Sequence, residues 1–176
     1  MQNRFQRATL GLLVFCCFTL SLNSASANDK ALAIFDRVSK FITTDLGGGG
    51  TQVLVVDTGG GSAQGVVDFF TKNPKVANQT VTVSSVTPDA LAGAVSGSTL
   101  MIVVPAGSAA AFDAVKAAAG GSKVLAFGLD KACVDAAACT LSIETDPKTQ
   151  IYISRSGRSA HDIEFKQAFL VMAIEV

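Results

Sequence analysis

The sequence contains no tryptophan, a single histidine (His161) and four cysteines among 176 residues. So few imidazole and thiol groups exclude most metal and redox centres, which need several such ligands held together. Charge is scarce too: 16% of residues are charged, and 14 basic residues balance 14 acidic ones. Without net basicity there is no long-range attraction for nucleic acid, and that partner class is excluded. Low charge, 49% hydrophobic residues and a mean hydropathy of +0.42 together exclude intrinsic disorder. Recurring pairs of carboxylates, internal repeats and low-complexity linkers are also missing. At 18.0 kDa the chain is long enough for one ordinary domain and short for two.

Residues 1–27 read as a secretory signal. Arg4 and Arg7 supply the positive start, an apolar run covers residues 8–22, and Ala25-Ser26-Ala27 has the small-x-small pattern of a cleavage site. The run falls short of the roughly 20 residues of a spanning helix. A lipoprotein reading of Cys16 and Cys17 fails because Phe15 stands where a small residue is needed. Cleavage after Ala27 leaves residues 28–176, with 12 basic against 14 acidic residues and a charge near −2. No later segment is apolar for long enough to span a bilayer. The expectation is a periplasmic or secreted protein with no stable membrane insertion after cleavage. Removal of the leader leaves Cys133 and Cys139 as a pair in an oxidising compartment, able to close a small disulfide loop. Such a loop is either a structural staple or a redox switch, and the staple is the simpler reading.

Beyond the leader, strands and helices alternate. Ala31, Ile34, Phe35, Val38, Phe41 and Ile42 recur at helical spacing, so a helix running to about residue 43 buries one stripe. Residues 51–57 are a β-branched run, apolar on both faces, which suits a strand covered on both sides. A glycine-rich turn over 58–65 leads into a helix over 63–72, with Val66, Val67, Phe69 and Phe70 inward, ended by Asn73-Pro74. Residues 80–86 alternate as a strand nearer an edge, and Thr87-Pro88-Asp89 opens the next helix. Residues 100–105 form another buried strand, Ser108 caps an alanine-rich helix, and residues 123–129 make a fourth strand. Residues 139–144 and 150–155, joined by a turn, form an antiparallel hairpin, and the stretch from Asp162 suits a closing helix. The fold expected is therefore a single α/β domain: a mainly parallel four-stranded sheet flanked by helices, plus the C-terminal hairpin and closing helix.

In open parallel sheets ligands bind beyond the carboxyl ends of the strands. There the sequence places Asp57, Gly59, Gly60, Gly61, Ser62 and Ser108, with Val86, Pro105 and Asp130 at the other strand ends. The glycines allow close backbone approach, and the helix that follows offers free N–H groups to an anion. The turn lacks a P-loop lysine and the dinucleotide spacing, and Asp57 and Asp130 oppose an anion. It is as well read as a flexible strand-to-helix turn. A hydrolase fares worse, because Gly60-Gly61-Ser62-Ala63-Gln64 misses the second glycine of a nucleophile elbow. His161 is expected on the surface near the last helix, and no catalytic residue, metal site or cofactor is assigned.

The order of leader, apolar helix, β-α units, Cys-x5-Cys loop, hairpin and terminal Ile-x-Phe-x3-Phe-Leu resembles the YfiR-like family of small periplasmic regulators. The best-matching piece is Lys123-Val124-Leu125-Ala126-Phe127-Gly128, followed by Cys133, Cys139 and Ile151-Tyr152-Ile153-Ser154. It is similar to that family's last parallel strand, cysteine loop and extended segment. The chain departs from the family in having Phe41-Ile42-Thr43 where a tryptophan often follows the first helix, and in lacking a second cysteine pair. The resemblance implies a non-catalytic regulator that binds the periplasmic domain of an inner-membrane signalling protein, such as a diguanylate cyclase of cyclic di-GMP signalling, and restrains it. Phe165, Phe169 and Met172, with the first helix, are the expected contact surface, and a homodimer is compatible with it. The alternative is a small exported ligand-binding protein using the 59–65 crevice.

Overall fold

The computed structural model describes residues 22–46 and 50–176. Of the expected leader, residues 1–21 lie outside the described residues, whereas 22–27 belong to the first helix. That helix, α1 (Leu22–Val38), continues into a 3-10 turn (Ser39–Phe41) that ends it earlier than the apolar spacing predicts. Strand β1 (Gln52–Val56) and helix α2 (Ser62–Lys72) follow, then a small hairpin of β2 (Lys75–Val76) and β3 (Gln79–Thr80). Next come β4 (Thr82–Val86), α3 (Pro88–Ala94), β5 (Thr99–Val104), α4 (Ala109–Ala119), β6 (Leu125–Gly128) and α5 (Lys131–Asp135). The chain closes with β7 (Leu141–Glu144), β8 (Gln150–Ile153), α6 (Arg155–His161), α7 (Gln167–Leu170) and β9 (Ile174–Glu175).

The sheet has seven strands in the order β4-β1-β5-β6-β7-β8-β9, where four parallel strands plus a separate hairpin were expected. The first five are parallel. The difference arises because the first hairpin strand has two partners. β7 pairs in parallel with β6 through Phe127 and Leu141, and antiparallel with β8 through Ile143 and Ile151. The hairpin is thus an extension of the sheet. The closing helix is also corrected: α7 is a single turn, after which Ile174 and Glu175 pair with Tyr152 and Ile153.

Period-two alternation sends neighbouring strand residues to opposite faces. Val53 and Val55 point into a core shared with Leu32, Phe35, Phe70 and Phe169, while Leu54 and Val56 face Leu91, Val115 and Val134. Helices α1 and α2 cover one face; α3, α4 and α5 cover the other. From β1 the chain steps outward to β4, then crosses back over β1 to reach β5. The reversal between β1 and β5 makes their carboxyl ends the topological switch point, where ligands bind in open α/β sheets.

Candidate functional site

The switch point lies between the loops after β1 and β5. Gly59, Gly60 and Gly61 adopt φ values of +87°, +79° and +81°, a left-handed run that side chains resist. These glycines turn the chain into α2, whose first N–H groups receive no side-chain cap. The neighbouring polar groups are largely committed within the fold. Asp57 Oδ1 accepts from the Gly59 N–H at 2.9 Å, and Thr58 Oγ1 reaches the Ala106 carbonyl at 3.5 Å. Asp130 joins two elements: Oδ2 accepts from the Gly107 N–H at 3.0 Å and Oδ1 from the Cys133 N–H at 3.1 Å, capping α5. Ser108 Oγ accepts from the Ala111 N–H at 3.2 Å and caps α4, the role its position predicts. Ser62 is half-buried at the first position of α2. Asp57, the three glycines, Ser62 and Ser108 thus stand at the ends of two adjacent strands, with carboxylates that disfavour an anion.

His161 is corrected from a surface residue to a buried one, 1% exposed at the end of α6. Its Nδ1 lies 2.8 Å from the Thr140 hydroxyl, while its Nε2 and Arg158 Nε are buried without hydrogen-bond partners. Burial pushes the imidazole pKa below its ordinary value, because charging it there forfeits hydration. The fold therefore engages His161 with Thr140 rather than with Ser62.

The sulfurs of Cys133 and Cys139 are bonded at 1.98 Å, and both residues are fully buried. The bond closes the turn between α5 and β7, where the Ala138 and Cys139 N–H groups both donate to the Cys133 carbonyl. Burial shields it from a reductant in solution. Among the described residues no group of three or more His, Cys, Asp or Glu is arranged to hold a metal ion, and no helix is long and apolar enough to cross a membrane.

The expected contact surface divides. Phe165 and Phe169 are corrected from surface to core, at 6% and 2% exposure. Phe169 stacks on Phe41 at 5.4 Å and lies 5.2 Å from Phe165, and Ile42 bridges to Phe165. These rings seal the end of α1 against the C-terminal segment; likewise Ala31, Leu32, Phe35 and Val38 of α1 are buried in the core. Met172 does face solvent, at 65% exposure, together with Val171 (78%), Ile174 (42%) and Val176 (43%). Ile174 and Val176 escaped the sequence reading, although the alternation Met172, Ile174, Val176 is a strand signal. The tail is tied down as β9, since the Arg155 N–H donates to the Val176 carbonyl and Arg155 grips Glu175 Oε2 at 2.9 Å.

Compared with models of protein families and with curated proteins, the chain matches none.

Proposed function

We propose that this protein is an exported, non-catalytic regulator that binds the outward domain of an inner-membrane signalling protein and restrains it. The observation that carries the reading is the solvent-facing group Val171, Met172, Ile174 and Val176, in the tail that runs from the end of α7 through the last strand of the sheet. Four large apolar side chains within six residues are a costly surface, since the other large apolar groups among the described residues are buried or half-buried, and such patches mark contact sites. The open side of β9 adds unpaired backbone groups that a partner strand can join. The buried disulfide suits an oxidising compartment, and the resemblance to YfiR-like regulators supports the class of partner. Restraint works by population shift: the regulator binds one conformation of the receptor more tightly than the other.

The test is a photo-crosslinking residue placed at position 172 in cells. The expected adduct is a membrane signalling protein, lost when Val171→Asp is added. Crosslinking to no membrane protein, with the protein folded and exported, overturns the reading.

A second reading, a ligand-binding protein acting through Asp57, Gly59, Gly60, Gly61, Ser62 and Ser108, is favoured by the uncapped start of α2. A thermal-shift screen of amino acids and phosphates separates the two, and Gly60→Val abolishes any shift that arises there.

A further inference from the structure

A cleft of about 640 Å³ opens between α1, α2 and the β2–β3 hairpin, away from the strand ends. Leu32, Phe35, Phe70 and Val76 are buried beneath it, and the half-buried Phe69, edge-on to Phe70 at 5.5 Å, is the aromatic surface that reaches the cleft. Its rim is cationic. Arg37 and Lys40 come from the end of α1 and the turn after it, Lys72 from the last turn of α2, and Lys75 from β2. Asp36 is the one carboxylate lining the cleft.

Of the eight other cations among the described residues, five are ion-paired, Lys166 donates to the Lys40 carbonyl at 3.2 Å, and Lys30 and Lys148 form no ion pair. Lys116, Lys123, Lys131, Arg155 and Arg158 each reach a carboxylate. Among the described residues, the side chains of Arg37, Lys40, Lys72 and Lys75 form neither an ion pair nor a hydrogen bond. Helix dipoles account for part of this placement, since Arg37 and Lys72 stand in the last turns of their helices. The end of α2 is already covered, however: the backbone and side-chain N–H groups of Asn73 both donate to the Phe69 carbonyl, at 2.8 and 3.1 Å. Lys40 stands in the 3-10 turn that continues α1, and Lys75, on β2, lies beyond both helices, so a dipole account does not reach Lys75.

Like charges gathered at the mouth of a cleft focus a positive potential there. An anion that also carries non-polar surface gains by covering the exposed part of Phe69. We propose that this cleft binds a small organic polyanion with a flat apolar body, of the size of a mononucleotide. Arg37, Lys40, Lys72 and Lys75 neutralise its anionic groups, and Phe69 meets the body. The cleft volume lies within the roughly 300–1,000 Å³ common for such sites. This site is independent of the C-terminal contact surface and of the glycine-rich turn.

Isothermal titration calorimetry of the purified protein tests it with ATP, GTP and UTP, and with inorganic triphosphate and adenosine as charge-only and body-only controls. The expected result is one site for at least one nucleotide, weakened by salt, with both controls binding far more weakly. Lys72→Glu with Lys75→Glu, and separately Arg37→Glu with Lys40→Glu from the other wall, each weaken it by about tenfold or more, a loss of ~1.4 kcal/mol or more. Lys116→Glu on α4 leaves it unchanged. All four reversed residues are exposed, and circular dichroism checks that the variants stay folded. The proposal is overturned if no nucleotide binds at millimolar concentration, if both charge-reversed pairs bind as the parent does, or if inorganic triphosphate binds as tightly as the nucleotides.

Discussion

The two faces of the sheet are filled by different means. On the side of α1 and α2 the core is built from large rings: Phe35 stacks on Phe127 at 4.4 Å, and Phe70, Phe165 and Phe169 extend the cluster. On the side of α3, α4 and α5 the helices present small groups, Ala111, Ala119 and Val115 among them, and the disulfide lies in that layer. Apolar area removed from water scales with side-chain size, so the ring-filled face gains more from burial. The small-residue face adds a covalent restraint that narrows the unfolded ensemble. One sheet is thus held by bulk on one side and by close approach plus a crosslink on the other.

Truncating the bulky side has the largest expected effect. Phe127→Ala removes the ring stacked on Phe35 and leaves a cavity, lowering the urea-unfolding free energy by about 3–5 kcal/mol. On the opposite face, Cys133→Ala with Cys139→Ala opens a short loop and loses roughly 2 kcal/mol by the same measurement. A double variant that lost more than Phe127→Ala would reverse the ranking of the two faces.

The end of the crosslinked turn, where Thr140 meets His161, adds a pH dependence. The folded pKa of His161 lies below its ordinary 6.5, so the unfolded chain takes up the proton first. Stability is then full above 6.5 and declines as pH falls from there toward the folded value. Urea titrations across that window show the decline, and His161→Asn flattens its slope. The smallest effect belongs outside both cores. Met172→Ala changes stability by no more than about 0.5 kcal/mol, and under the proposed function it weakens crosslinking to the proposed membrane partner.

The strands over 51–57, 100–105 and 123–129 and the helices around them were legible because local composition decides them. β-branched runs, helical spacing and the Ser108 cap act within a few residues of themselves. The terminal segment was not legible in the same way. Phe165, Phe169 and Met172 are equally apolar in sequence, yet two are sealed by Phe41 and Ile42, more than a hundred residues earlier, and the third is left outside. His161 was misplaced for a related reason. Its charged neighbours suggest solvent, but α6 turns its ring toward Thr140. The cationic cleft is equally invisible in the sequence, because Arg37 and Lys40 are separated from Lys72 and Lys75 by the whole β1–α2 unit.

By itself the amino-acid order determined the strands β1, β4, β5 and β6, the helices α2, α3 and α4 that alternate with them, and the Cys133–Cys139 pair able to bond. Those outcomes rest on local torsional preference and short-range periodicity, which a chain carries before it folds. Only the tertiary structure decided that β7 joins the hairpin to the sheet, that two phenylalanines go inward while Met172 stays out, and that four cations meet around one opening. Burial and electrostatic convergence depend on distances between residues remote in the chain, and those distances exist only once the layers have packed.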